Sequence, residues 1–429
     1  MTQLTPVQLS PPSLAQLPQR PRSIEETGLS LSYIADLTVR ALYVIGEMTG
    51  QDMIDLLHLP WERVLEQVVA YLRREQMVEV KGSPGIGERS YRYAATSKGV
   101  ARAREVGERN QYLGPAPVPL QQYIAMMERQ TTRGLRVSEA TIRQAFGDLV
   151  ISTDLLNQLG PAINSGRSLF LFGKAGNGKT SIAEAAARLL SDSVAIPYAV
   201  IVDGQVIRLF DAIHHERIAH DDATSADARW VLSRRPVVVA GGELNMASLD
   251  LIFNPESRFY EAPLQMKANG GLLLIDDFGR QQVRPRDLLN RWIVPLEKRV
   301  DFLTLHTGKK IEVPFDQLIV FSTNIEPKQL VDEAFLRRIR YKVEVPNPTP
   351  AEYREILRRV CQSRNIPYSD DGLRYLLEVE YTRRKLELRS VHPRDLVDQL
   401  IDTAMFLNVP PTLSSELLAA ACRSYFVEL

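Results

Sequence analysis

From residue 28 the apolar positions recur with helical spacing. LSYIADLTVRALYVIGEM, then TGQDMIDLL opened by Thr49, then LPWERVLEQVVAYLRREQ each predict a helix. The period drops to two in MVEVKG and RSYRYAAT, which flank SPGIGE and predict a hairpin with a Gly/Pro tip. SKGVARAREVGER returns to helical spacing and closes a compact unit over 28–110. QYLGPAPVP reads as a Pro-rich linker, and a polar helical connector follows it, so 111–145 join two parts of the chain. From about 146 to 346 strand and helix patterns alternate, which predicts an α/β core with a parallel sheet. Beyond VPNPTP the pattern is helical throughout, in AEYREILRRVCQSRN, DGLRYLLEVEY, HPRDLVDQLIDTAMFL and SSELLAAACRSYF. It predicts a separate helical domain over 347–429.

Composition narrows the setting. The first 27 residues are rich in Pro, Gln and Ser and predict a disordered tail; they contain no apolar segment of a signal peptide. The longest apolar runs, PVVVA and GLLLI, are too short for membrane insertion, so a soluble, cytoplasmic protein is expected. Apolar residues make up 45% and charged residues 24%, the balance of a globular chain. The formal net charge of zero gives no sign of a globally basic nucleic-acid binder. Cys361 and Cys422 lack metal or redox spacing and are expected as core thiols.

The chemistry begins at SLFLF. This apolar strand runs into Gly173-Lys174-Ala175-Gly176-Asn177-Gly178-Lys179-Thr180, and Ser181 continues into a helix. The pattern G-x-x-x-x-G-K-[ST] in a strand–loop–helix context is a phosphate loop. Its glycines let backbone N–H groups turn toward phosphate oxygens, and the helix start adds a favourable field. Lys179 is expected on the β- and γ-phosphates of ATP and Thr180 on Mg²⁺. A second apolar run, in GLLLIDDFGR, ends in the paired carboxylates Asp276 and Asp277.

Four segments in order resemble the AAA+ ATPases over about residues 146–429. LLLIDD resembles Walker B, which implies that Asp276 holds Mg²⁺ through water and Asp277 is the catalytic base. Asn269-Gly270-Gly271 before it resembles the lead-in of NtrC-type and MoxR-type members. DQLIVFSTN resembles the sensor 1 strand, with Asn324 orienting the attacking water. DEAFLRRIRYKVEV resembles the arginine-finger segment; Arg338 fits best, with Arg337 and Arg340 as rivals. VHPRDLVDQL resembles sensor 2, with Arg394 closing the lid. The alternating pair around Thr307-Gly308 resembles the pre-sensor-1 hairpin of the MoxR and NtrC groups, which projects toward a ring pore. No GAFTGA-like sequence is present, which argues against a sigma-factor remodeller.

The second acid of this motif is usually Glu. Asp carries its carboxylate roughly 1.5 Å less far, and a misplacement of that order can cost about 10²-fold. The resemblance therefore implies ATP hydrolysis that is slow unless stimulated. It also implies a homo-oligomer, a hexameric ring by family expectation, that remodels a macromolecule.

Helix–helix–helix–hairpin–helix over 28–110, with Tyr93-Ala-Ala-Thr-Ser-Lys-Gly99 after the hairpin, resembles a winged helix-turn-helix. Such units dock proteins or bind DNA. The proposed recognition helix carries Arg63, Arg73 and Arg74 but also Glu62, Glu66 and Glu75, and duplex affinity needs excess cations. A protein partner is the first expectation and duplex DNA the second. His214, His215 and His220 with Asp221 and Asp222 read as an exposed polar face rather than a metal site, and Trp61, Trp230 and Trp292 as core. RRKLELR at 383–389 reads as a solvated helix end or a binding patch. The stretch 203–268 exceeds what a minimal core needs.

Overall fold

A computed structural model describes residues 17–83, 85–132, 136–190, 192–219, 225–330 and 336–426. Residues 17–27, expected in a disordered tail, are built into the fold. Arg20 N donates to Ser225 O at 2.8 Å, and Ser23 caps a short helix whose Ile24 is buried.

In the N-terminal unit, helices Leu31–Ile45, Gly50–Leu57, Glu66–Arg74 and Ser97–Arg109 surround three short strands. These are β1 (Glu47–Thr49), β2 (Val78–Gly82) and β3 (Arg92–Ala95), antiparallel in the order β1-β3-β2. Local chemistry sets the starts: Thr49 and Asp52 form a capping box, and Thr96 accepts from Gly99 N. Gly99 is required, because a Cβ there would lie 2.0 Å from Met77 O. The helix expected over 60–76 is interrupted. Glu62 and Arg63 are non-helical, Arg63 at φ 62°, and regular helix runs only over Glu66–Arg74.

The Pro-rich segment is not a free spacer. Ala116 N donates to Leu57 O at 2.7 Å, and Ala116 and Val118 are buried. β4 (Val118–Pro119) joins a sheet, and helix Leu120–Arg129 follows. The core strands are β5 (Ser168–Phe172), β6 (Ser193–Pro197), β7 (Ala199–Val202), β8 (Gln205–Arg208), β9 (Trp230–Arg234), β10 (Val237–Ala240), β11 (Ile252–Asn254), β12 (Phe259–Glu261), β13 (Leu272–Ile275), β14 (Val300–Thr304), β15 (Lys310–Pro314), β16 (Leu318–Thr323) and β17 (Tyr341–Glu344).

They form two five-stranded sheets and two antiparallel pairs. The first sheet, β10-β13-β16-β5-β17, is parallel throughout. Both faces are covered: Leu169, Leu171, Leu272 and Leu274 face one apolar cluster, and Phe170, Leu273, Ile275 and Phe321 the other. That explains why its central strands read as unbroken apolar runs. The second sheet, β11-β12-β8-β7-β4, is mixed and takes three of its strands, β8, β11 and β12, from the long stretch after 203.

β14 and β15 make the expected hairpin, with Gly308 at φ 83° in the turn. One face of it does not project freely. Leu303, Leu305, Ile311 and Val313 are buried with Val118, Tyr123 and Tyr260, and His306 N donates to Tyr260 Oη at 2.8 Å. The C-terminal helices begin at the Thr349/Glu352 capping box and enclose a core holding both free cysteines, whose thiols burial pushes up to about 11. No helix among the described residues is long and apolar enough to cross a membrane.

Candidate functional site

β5 delivers the chain into the glycine loop. Gly173 stands at φ 142°, and a Cβ there would lie 2.3 Å from Val345 O. Gly178, at φ 83°, begins the ten-residue helix Lys179–Arg188, whose first N–H groups lack intrahelical acceptors. The loop and helix thus offer a ring of donors suited to phosphate. Lys174 and Ala175 are exposed at the loop's apex, and Ser181 is in the first turn of the helix. Set on a parallel sheet, this strand–loop–helix geometry fits an α/β P-loop fold.

The sheet order brings the other candidates in. β16 lies between β5 and β13, so the residue after β16 falls between the loop and the paired acids. That residue is Asn324. Its Oδ1 accepts from Lys179 Nζ at 2.6 Å, and its Nδ2 donates to Asp277 Oδ1 at 3.0 Å. Lys179 Nζ also donates to Gly173 O at 2.9 Å and Lys174 O at 3.1 Å. Burial holds the Lys179 ammonium below its ordinary pKa, Asp276 and Asp277 pull against that, and the Arg389 guanidinium lowers it further. Thr180 Oγ1 donates to Asp276 Oδ2 at 2.9 Å. A hydroxyl and a carboxylate meeting beside a phosphate loop are the donor set Mg²⁺ accepts.

Asp277 has a left-handed backbone, φ 49°, and its N–H donates to Asp276 Oδ1 at 3.0 Å. Asp and Asn tolerate that conformation better than longer side chains do. The backbone therefore supplies a physical reason for the second acid to be Asp.

The arginines are dispersed. Arg338 pairs with Glu297 at 2.6 Å, and its carbonyl accepts from Ser168 Oγ at 3.4 Å, at the end of β5 away from the loop. Arg337 and Arg340 are exposed. Arg394, expected to close the lid onto the phosphates, instead pairs with its neighbour Asp395 at 3.1 Å, and its side chain is 61% exposed.

The C-terminal helices meet the loop through residues other than Arg394. Val391 N donates to Gly176 O at 2.8 Å. Glu387 pairs with Lys174 at 2.5 Å, and Arg389 Nη1 donates to Asn347 Oδ1 at 2.5 Å. Asn347 Oδ1 also accepts from Asn177 Nδ2 at 2.9 Å. Glu387 and Arg389 belong to RRKLELR, so the signal was present, but a basic run does not say which surface it meets.

Asn269 serves the scaffold. Its amide donates to Tyr123 Oη and Pro314 O, both at 2.8 Å, and accepts from Asp316 N at 2.8 Å. Residue 214 lies in a turn and residue 215 in irregular chain, rather than on a helix. His215 is 2% exposed, accepts from Asp211 N and meets Lys267 O, and burial pushes its pKa down to about 4. His220, Asp221 and Asp222 lie outside the described residues. Among the described residues no group of His, Cys, Asp and Glu could hold a metal ion by itself. Trp61, Trp230 and Trp292 are buried, as expected.

Residues 349–424 match the family model described as "Domain of unknown function (DUF8689)", which covers the C-terminal helices. No curated protein matches the chain. Among solved structures the chain is similar to NtrX from Brucella abortus in complex with ATP, at 15% identity and a TM-score of 0.41, covering 66% of this chain and 59% of that one. It is also similar to RuvB of Thermotoga maritima, described as a Holliday junction branch migration motor, at 14% identity and a TM-score of 0.35, covering 63% of this chain and 67% of that one. The chain thus spans less than two thirds of that NtrX chain. What the site can do follows from its own geometry.

Proposed function

We propose that this chain is an ATPase of the AAA+ type, which binds ATP with Mg²⁺ on the phosphate loop and hydrolyses the γ-phosphate. The observation that carries the reading is Asn324, within hydrogen-bond distance of both Lys179 and Asp277. A module that only held nucleotide would not need a polar bridge from the phosphate lysine to a carboxylate. In this reading Asp277 accepts a proton from the attacking water and Asn324 orients that water. Thr180 and Asp276 hold Mg²⁺, which neutralises charge on the β- and γ-oxygens. Lys179 and the loop amides from Gly173 to Ser181 bind the phosphates.

Arg338, with Arg337 and Arg340 as alternatives, serves a neighbour's ATP. The position of Arg338 at the far end of β5 supports action in trans, and hence a ring. Of the lid cations, Arg389 faces the loop more directly than Arg394 does. The N-terminal unit recruits a protein partner; Arg73 and Arg74 pair with Glu88 and Glu75, which offsets part of the positive charge a duplex would need.

ATP turnover by the purified chain, measured across a concentration series with Lys179→Ala as blank, tests this. The expected outcome is a rate per subunit that climbs with concentration and is absent from the blank. Turnover equal to the blank would overturn the hydrolytic assignment, and a rate independent of concentration would overturn the shared site.

A further inference from the structure

The link between the last core strand, β17, and the first lid helix runs through Asn347. This side chain gathers contacts from both bodies it joins. Its Oδ1 accepts from Asn177 of the phosphate loop at 2.9 Å and from Arg389 of the lid at 2.5 Å. Its Nδ2 donates to Glu387 at 3.2 Å. Glu387 in turn reaches Lys174 of the loop, and Arg389 Nη2 lies 3.0 Å from Glu387. Asn177 is buried and its Oδ1 accepts from Ser390 N at 3.4 Å. Among the described residues the contacts close a circuit in which every hydrogen bond between side chains that ties the C-terminal helices to the loop passes through Asn347 or Glu387, and the backbone N–H groups of Ser390 and Val391 add two direct bonds.

We propose that Asn347 is a positioning residue that sets how the lid seats on the phosphate loop, and thereby how long nucleotide stays bound. The proposal rests on the nucleotide-binding reading above and adds to it a determinant of release. An amide suits this place because one side chain must both accept and donate. Its acceptor oxygen meets a guanidinium and an amide, and its donor nitrogen meets a carboxylate. Removing it strands the Asn177 Nδ2 and leaves the partly buried Arg389 with Glu387 alone, which favours an undocked lid. Asn347 touches no reacting atom, so its removal should change retention more than the chemical step.

The test uses the full chain and a fluorescent ADP analogue, with dissociation followed by stopped flow and turnover measured in parallel. Asn347→Ala is expected to speed release by about tenfold, the scale of one hydrogen bond to a charged group. KM should rise while single-turnover cleavage stays near the wild-type rate. The exchange pair Asn347→Asp with Glu387→Gln reverses the donor and acceptor across that contact and should restore slow release. Asn347→Asp alone places two carboxylates together and should not. Release unchanged in Asn347→Ala overturns the proposal, as does a fall in single-turnover rate with no change in KM. Should Asn347→Ala fail to fold, Glu387→Gln with Lys174→Met reads the same circuit through its exposed arm, and unchanged release there overturns it equally. If the wild type binds no analogue above Lys179→Ala, the nucleotide reading fails, a result distinct from either.

Discussion

The molecule contains two five-stranded sheets that do opposite work. The parallel sheet gathers its polar residues at one edge: Lys179, Asp276, Asp277 and Asn324 all lie at or just beyond the C-terminal ends of its strands. The mixed sheet pairs Arg208 with Glu261 but gathers no comparable cluster. It is assembled from three separated segments, 118–119, 199–208 and 252–261, and its neighbours are apolar side chains of the hairpin and of the N-terminal unit. In a parallel sheet every strand points its C-terminal end the same way, so loops from distant parts of the sequence meet there. A mixed sheet scatters its loops to both edges and serves better as a joint.

The largest test of this contrast is Asp277→Asn. Asn tolerates the left-handed backbone, so the fold should hold while the proposed base is lost. Turnover should fall about 10²-fold or more, with the melting temperature unchanged. Unchanged turnover would remove Asp277 from the chemistry.

Asn269→Ala should do the reverse. It strands the Tyr123 hydroxyl and the Asp316 amide, both buried, and should cost about 2–3 kcal/mol of stability. Nucleotide affinity per folded molecule should stay the same, as urea unfolding and binding measured together would show. A loss of affinity without a loss of stability would blur the division between the two sheets.

The smallest effect is pH dependence at His215. Its folded pKa is about 4 against an ordinary 6.5. A depressed value means the unfolded chain binds the extra proton, so the contribution is full above pH 6.5 and is lost as pH falls toward 4. Between pH 7 and pH 5 this should remove on the order of 1 kcal/mol, and His215→Gln should flatten that slope. His392, held near 4 by burial among the C-terminal helices, should keep part of it. An identical slope in the variant would show that His215 is not the group responsible.

How far the sequence disclosed these regions follows from their physics. The phosphate loop, the paired acids and Asn324 were legible because each sits at the end of an apolar run on a short fixed motif. The parallel sheet was legible because strands covered on both faces need continuous apolar residues, as in LLLI and LIVFST. The mixed sheet was not. Two-residue β4 carries no period, and QYLGPAPVP has a linker's composition although Ala116 and Val118 are buried. The interrupted helix at Glu62 and Arg63 follows a regular apolar pattern that the backbone does not follow. Arg394 matched a motif, while Arg389 and Asn347 gain their meaning only from a tertiary contact.

The docking of 111–119 has a mechanical consequence. Besides β4, Gln111 N donates to Ser257 O at 2.9 Å, His58 lies 2.6 Å from Ala228 O, and Arg229 Nη1 donates to Thr27 O at 2.8 Å. These ties run on both sides of the segment, so the N-terminal unit is geared to the core instead of trailing from a tether. Any displacement of the core would therefore reach the N-terminal unit along a stiff arm, with little of it absorbed as slack.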